Sequence, residues 1–478
     1  MFKRFRKQIG FILICYSIFS LMYVSTVSIA QETEIITYYN YDPYKTEENP
    51  LRGFFPYIGE YDSFPYSMEY FYVPLKELMN DFNSFTFDLT LEPNLDEIIS
   101  RKHQAIFRVY LDYPDEPTGI PDFLLNGLTT YPYDEFGGGI SPDYSNETLI
   151  STLESLISEL GQVYDGDIRI GFIEIGLLGH WGEWHTYPHD EWFPNEAIQN
   201  RILNAFDIAF NSTKIVVRYP KGDSPELPIG YHDDSFCYET IGTESWEFIQ
   251  LLESANELDK WKEEPIGGEI YPDIQKSLWD SIPPNSVQDF DECVDLTHAS
   301  WLLNDELFES YFNNRKIERA RDGALKLGYQ FRVNSSKSMR INESIEITLE
   351  MENCGSAPFY YPLFLRTGYN NDYSPIANYT TSIQIDKLLP NDLQIYHFNL
   401  PLSGSYNESD ISFKLDSPFV NSPIFFANSG VNSDGSINLI PLPELMTDDS
   451  AFEFHSIIFI SIFSLIIIIC LGRKNENK

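Results

Sequence analysis

The run IRIGFIEIG, Ile168–Gly176, constrains the fold more than any other part of the chain. Its apolar side chains occupy both faces, Ile168, Ile170 and Phe172 on one and Ile173 and Ile175 on the other, so both faces of the strand need cover, as in a parallel sheet. It lies between two segments with helical spacing of apolar residues, ETLISTLESLISELGQVY and NEAIQNRILNAFDIAF. The same alternation continues on either side. NPLRGFFPY from Asn49 reads as a turn and short strand, and SFTFDLTL (Ser84–Leu91) as a strand. NLDEIISRKH reads as a helix and AIFRVYLDY (Ala105–Tyr113) as a strand, followed by a long loop with FGGG at 136–139. Downstream, KIVVRYP, IGYHDDSFCY, PIGGEIYP and LTHASWLL read as strands or strand-like loops. ESWEFIQLLESANEL is helical among them, and DELFESYFNNRKIERARDGALKLG closes the series as a helix. Repeated βα units over roughly 280 residues predict an α/β chain with a (β/α)8 TIM-like barrel at 31–328. No glycine fingerprint for a dinucleotide follows the first strand, and no cofactor is expected.

From Tyr329 the pattern changes to short strands with turn residues between them and no helices: YQFRVNSS, SIEITLEMEN, FYYPLFLRTGY, LQIYHFNL and DISFKLDS. This predicts a small β-sandwich over 329–430 and then a polar linker, 431–453. The ends have their own grammar. Basic FKRFRK, an apolar run and SIA before Gln31 read as a signal peptide at 1–30. SIIFISIFSLIIIICLG reads as a transmembrane helix (454–472), and RKNENK as a cytosolic tail (473–478). The expectation is a type I single-pass protein of the plasma membrane or endomembranes with an extracellular or lumenal body; a GPI signal is the alternative. Six sequons, at Asn146, Asn211, Asn334, Asn342, Asn378 and Asn407, fit a glycosylated body. Of the five cysteines, Cys237, Cys293 and Cys354 lie outside the apolar ends, so at most one disulfide forms among them. A net charge of −40 excludes nucleic acid as a partner.

In a barrel of this kind chemistry sits at the C-terminal ends of the strands. The residues there are Arg108, Tyr110 and Asp112; Glu174 and, beyond it, Glu183; Arg218; His232, Asp233 and Asp234; Glu269; and His298 and Trp301. Two carboxylates are what glycosidic cleavage needs. Glu183 follows the fourth expected strand and Glu269 lies on the seventh. That placement resembles clan-A glycoside hydrolases, in which the acid/base follows strand four and the nucleophile strand seven. The Asn-Glu pair usual at strand four there is replaced by WGEW. Glu183 also sits in GLLGHWGEWH, where Gly176, Gly179 and Gly182 suggest a sharp exit from the strand and Trp181, Trp184 and His185 offer surfaces to a sugar ring. A metal reading of His180, Glu183 and His185 is disfavoured, because the histidines are five apart on a segment unsuited to a helix; the expected metal is none.

NPLRGFF, GFIEIGLLGHWGEWH, GGEIYP, THASWLL and ALKLGYQFRV together resemble a family of secreted, mostly bacterial proteins made of two adjacent domains of unknown function. That family is similar in outline to glycoside hydrolase barrels, and the resemblance covers roughly residues 40–430. It implies a barrel plus β-sandwich and a carbohydrate partner. The family commonly has glutamine where this chain has Glu174, which argues against that residue as an essential acid.

The expected function is a membrane-anchored glycoside hydrolase-like protein with Glu183 as acid/base and Glu269 as nucleophile or base. Arg108, Tyr110, Glu174, Trp181, Trp184, His185, Arg218, His232, Asp233, His298 and Trp301 would contact the glycan. The alternative is a non-catalytic glycan-binding receptor or adhesin.

Overall fold

The computed structural model describes residues 34–341, 343–369, 381–385, 387–401 and 411–439. The expected signal peptide and membrane span lie outside these residues. Among the described residues no helix is long and apolar enough to cross a membrane. The single-pass membrane placement is therefore corrected: no described element carries it. Three sequons are described. Asn146 caps a helix by accepting from Leu149 N, Asn211 is exposed and Asn334 is partly buried. Asn342, Asn378 and Asn407 lie outside. Cys237 and Cys293 are buried free thiols, and Cys354 is an exposed one.

Eight parallel strands form the main sheet: β1 (Gly53–Phe55), β2 (Met68–Pro74), β3 (Gln104–Tyr110), β4 (Ile170–Glu174), β5 (Ile215–Val217), β6 (Gly230–Phe236), β7 (Ile266–Ile270) and β8 (Trp301–Leu303). Each pairs with its sequence neighbour, and β8 pairs with β1. The remaining gap, between β1 and β2, is narrowed by a single parallel bridge, Tyr57 to Tyr70. The result is a nearly closed barrel. Helices α1 (Leu91–Ser100), α2 (Glu147–Tyr164), α3 (Glu196–Ala209), α4 (Phe248–Ala255), α5 (Phe290–Thr297) and α6 (Asn314–Lys326) follow strands in the expected alternation. Four of them start on an Asn or Asp whose side chain accepts a backbone N–H of the first turn, as free helix N-termini require. Gly161 does not end α2; a Cβ there would lie 2.4 Å from Ala209 O, so the glycine lets α2 approach α3 closely.

Two expectations change. Ser84–Leu91 is not a barrel strand; only Ser84–Phe85 pairs, in a small hairpin with Met79–Asp81, and α1 begins at Leu91. The second barrel strand is instead Met68–Pro74, whose second residue, Glu69, is buried against Arg101 and His103. The FGGG segment is the turn region of a hairpin joining Thr130–Tyr133 to Gly139–Pro142.

The all-β part has two four-stranded antiparallel sheets, and it draws in more chain than expected. Glu34–Tyr38, ahead of the barrel, pairs with Phe331–Ile341, and Ile437–Asn438, beyond residue 430, pairs with Ile411–Asp416. Its core is continuous with the barrel interior, where Phe55, Met68, Ile106, Phe172, Val216 and Trp301 lie. Gly267 makes room for the Trp301 indole, since a Cβ there would lie 2.2 Å from it. Tyr361 of the sandwich donates to Gly171 O (2.6 Å) at the start of β4, so the sandwich packs on the N-terminal end of the barrel. NPLRGFF is the joint between these parts. Asn49 exchanges two hydrogen bonds with the Phe425 backbone. The buried Arg52 guanidinium donates to Thr46 O, Ala324 O, Leu325 O and Leu327 O, capping the C-terminus of α6.

Candidate active site

The C-terminal mouth of the barrel gathers a charged cluster from five consecutive strands. Arg108 of β3 donates from Nε to Glu174 Oε2 (2.8 Å) and from Nη2 to Asp234 Oδ2 (2.8 Å). Its Nη2 also lies 3.3 Å from His232 Nδ1, which is 2.8 Å from Asp234 Oδ1. Tyr70 completes the network by donating to Glu174 Oε2 (2.7 Å). Burial alone would push the Asp234 carboxyl up; Arg108, His232 and Arg218 outweigh it and hold it well below the usual range. Glu174, His232 and Asp234 lie close enough together to share a cation. A guanidinium bridges all three, so the positive charge this pocket needs is already supplied by Arg108.

Glu183 reaches the same cluster from the loop after β4. Gly176 leaves the strand pressed against β3; a Cβ there would lie 2.1 Å from Val109 O. Leu177, Gly179, Trp181, Gly182 and Trp184 then all adopt positive φ, a conformation that is costly for the three that carry a Cβ. The coil is held by His180 N to His185 O (2.9 Å), Trp184 N to Leu178 O (3.0 Å) and Trp181 N to Asp112 O (2.8 Å). Asp112 further fixes it, with Oδ2 2.8 Å from His180 Nδ1 while Oδ1 accepts from Tyr133 (2.6 Å). The turn places Glu183 against Arg218, with Oε1 3.6 Å from Arg108 Nη1 and Oε2 3.4 Å from His185 Nε2. The setting of Glu183 is thus cationic, with two guanidinium groups beside it. Burial lowers His185 to about 4, so it is neutral near pH 7.

Glu269, on β7, has the opposite environment. Burial pushes its carboxyl well above the usual range, Asp234 and Glu174 add repulsion, and Arg108 and Arg218 offset only part of this. Gln275 Nε2 donates to it at 3.3 Å. The hydroxyls of Tyr57, Tyr72 and Tyr113 are its neighbours and are themselves raised, first by burial and then in part by Glu269. These rings form an aromatic wall: Tyr57 to Tyr72 at 6.4 Å, Tyr72 to Tyr113 at 5.2 Å, Tyr113 to Trp181 at 6.5 Å, and Trp181 to Phe136 at 5.2 Å. Phe136 is 48% exposed.

The sequence-predicted residues therefore divide. Arg108, Glu174, Glu183, Arg218, His232 and Glu269 meet in one cluster, with Trp181 and His185 beside it. Tyr110 borders the wall through Tyr72 and Tyr113. Asp233 points elsewhere: it accepts from Thr240 Oγ1 and Ser235 N, and burial raises it to about 6. Three contacts expected with a glycan are corrected. Trp184 is 1% exposed, sits in the core and donates to Ile175 O. Trp301 fills the barrel interior against Phe55 and Phe172. His298 precedes β8, at the opposite end of the barrel, where it stacks on Trp261 and bonds Ser356 O. Tyr57, Tyr72, Tyr113 and Phe136 were not singled out in the sequence. The only trace of them there is that each follows a strand or sits in its last residues.

No family model and no curated protein matches the chain. Among solved structures it is similar to several glycoside hydrolases. One is a GH5_18 variant from Bifidobacterium longum subsp. longum with bound Manb1-4GlcNAc (10% identity, 49% of this chain, 58% of that chain, TM-score 0.31). Another is the catalytic domain of beta-amylase from Paenibacillus polymyxa (10% identity, 57% and 99%, TM-score 0.35). A third is a family 39 glycoside hydrolase from Bacteroides cellulosilyticus (8% identity, 75% and 82%, TM-score 0.32). Likenesses this distant assign no activity.

Proposed function

We propose that the barrel mouth binds a glycan and cleaves a glycosidic bond between Glu269 and Glu183. The observation that carries this reading is the opposed setting of the two carboxyl groups around one arginine pair. Glu183 faces two guanidinium groups, while Glu269 is pushed up by burial and by Asp234. Opposed surroundings of this kind, one carboxyl held up by burial and the other set among guanidinium groups, suit an acid and a partner carboxylate. Glu269 is the acid, giving its proton to the leaving oxygen. Glu183 is the carboxylate, acting on the anomeric carbon or on a water molecule. These roles invert those that strand position suggests. The wall of Tyr72, Tyr113, Trp181 and Phe136 supplies flat faces for sugar rings.

The test is hydrolysis of a panel of aryl glycosides and neutral oligosaccharides, with glycan-array binding measured in parallel. Glu269→Gln and Glu183→Gln should each abolish cleavage and leave binding in place. Cleavage that survives both substitutions refutes the assignment. A second reading, glycan binding without cleavage, is favoured by the direct contact of Arg218 with Glu183, which occupies the carboxylate a reaction would use. Binding unchanged in Glu183→Gln, with no glycan cleaved by the unaltered protein, would establish it.

A further inference from the structure

A second aromatic feature lies on the rim, away from Trp181. Tyr238 follows β6 and Tyr271 follows β7, and their rings stack with centroids 4.3 Å apart and planes 13° from parallel. The backbone sets this pairing, through Tyr271 N to Phe236 O (3.2 Å) and Tyr238 N to Ser235 O (2.9 Å). Tyr238 is 37% exposed, and Trp246, on the loop between β6 and α4, is 59% exposed. That loop is folded back by Phe248 N donating to Glu239 O (2.9 Å), beside Tyr238. Single exposed apolar side chains are ordinary, but here Tyr271 is seated on the underlying core and holds Tyr238 stacked above it. Tyr238 and a tryptophan of the same loop form an exposed aromatic surface.

A short turn of chain ties this pair to the acidic centre. Tyr271 opens the turn Pro272–Ile274, and the next residue, Gln275, donates to Glu269 Oε1. The other platform, Phe136 on Trp181, stands on the loops after β3 and β4. In a ring of eight strands, β3/β4 and β6/β7 are three places apart, so the two platforms flank Glu183 and Glu269 from different sides. One sugar ring needs one platform. Two, with the carboxyl pair between them, fit a chain. The net charge of −40 selects against a polyanionic chain. We infer that the mouth takes an extended neutral glycan of several units, whose distal units rest on Tyr238, Tyr271 and Trp246 while others rest on Trp181 and Phe136. This rests on the glycan reading above and adds the length and charge of the ligand.

The experiment measures binding of neutral oligosaccharide ladders, one to eight units in several linkages, to the unaltered protein and to Tyr238→Ala, Tyr271→Ala and Tyr238→Phe. Affinity should rise with length. Each alanine variant should lose about three- to tenfold on the long members, the range of one aromatic contact, and nothing on disaccharides. Tyr238→Phe, which keeps the ring, should bind and melt as the unaltered protein does. Tyr271→Ala, which also removes a ring packed on the core, should melt lower and is compared well below its melting temperature. Binding that is flat with length, or an equal loss at every length, overturns this inference and leaves the glycan reading standing. An unaltered protein that binds no neutral glycan of any length overturns both.

Discussion

Gly182→Ala separates a site from a merely tight turn. Gly182 has φ +70, where a Cβ costs about 1–2 kcal/mol. The added methyl would lie 3.1 Å from Gly176 Cα, 3.3 Å from Val109 O and 3.3 Å from Arg108 Cδ. The first two are backbone and cannot give, so the Arg108 stem must move by a few tenths of an ångström. Together strain and contact come to about 2–3 kcal/mol, a fall of no more than about 10 °C in melting temperature. The informative quantity is the rest of the effect. Arg108 holds Glu174 and Asp234 and faces Glu183, so its shift should weaken glycan binding and cleavage well beyond what the stability loss explains. Gly53→Ala is the control, because φ is +88 there, nothing lies within 4 Å of the added methyl, and it starts β1 at the far end of the barrel. Thermal melts and oligosaccharide titrations of both variants suffice. Equal melting losses with equal, undiminished binding would refute the argument that this turn exists to aim Glu183.

Arg108→Met leaves Glu174 and Asp234 buried without their counter-charge, and should cost about 3–5 kcal/mol in urea unfolding. Adding Glu174→Gln and Asp234→Asn should recover much of that. Asp233 predicts a pH dependence of stability. Its carboxyl rises from 3.8 to about 6 on folding, so the folded state holds the proton more tightly than the unfolded chain. The resulting stabilisation, about 3 kcal/mol, is complete below pH 4 and is lost as pH rises through about 6. Asp233→Asn should flatten that slope in melts from pH 3.5 to 7. Trp184→Ala should cost about 3–5 kcal/mol of stability, the effect of an emptied core site, seen as a lower melting temperature, while Trp181→Ala should change glycan affinity instead. Activity should persist above the usual carboxylate range and fall as Glu269 finally loses its proton, which a pH–rate profile shows directly.

The barrel was legible because its signal is local: doubly buried β4, and the helical spacing of α2 and α3 beside it. β2 was missed because Glu69 breaks its apolar run, and the charge is neutralised only by Arg101 and His103 across the fold. Ser84–Leu91 has strand-like composition, but only its first two residues find a partner, the short strand Met79–Asp81. At the site, residue types and strand positions pointed to Glu183 and Glu269, but not to their electrostatic settings. Those settings depend on Arg218, one strand further on, and on Asp234, two strands further on, and no local pattern encodes them. Trp184 and Trp181 look alike in sequence; successive positive-φ turns send one into the core and the other to the rim. The aromatic wall was hidden for a different reason. Its members are scattered among 31 tyrosines and 35 phenylalanines, and only closure of the barrel brings them together.

The joint at NPLRGFF has a consequence for how the chain is made. Arg52 leaves the ribosome early, yet three of the four carbonyls that satisfy its guanidinium belong to Ala324, Leu325 and Leu327, and the Asn49 partner is Phe425. Strand Glu34–Tyr38 likewise waits for Phe331–Ile341. A segment synthesised ahead of the whole barrel is thus among the last to find its place. Until then β1, which must pair with β8, has no anchored entry, and a nascent chain shorter than about 330 residues holds an open sheet with two bare edges. Shortening from either end therefore removes the same thing, the clasp that lets the ring close. Barrel and sandwich should therefore melt in one transition, which calorimetry of the full chain checks.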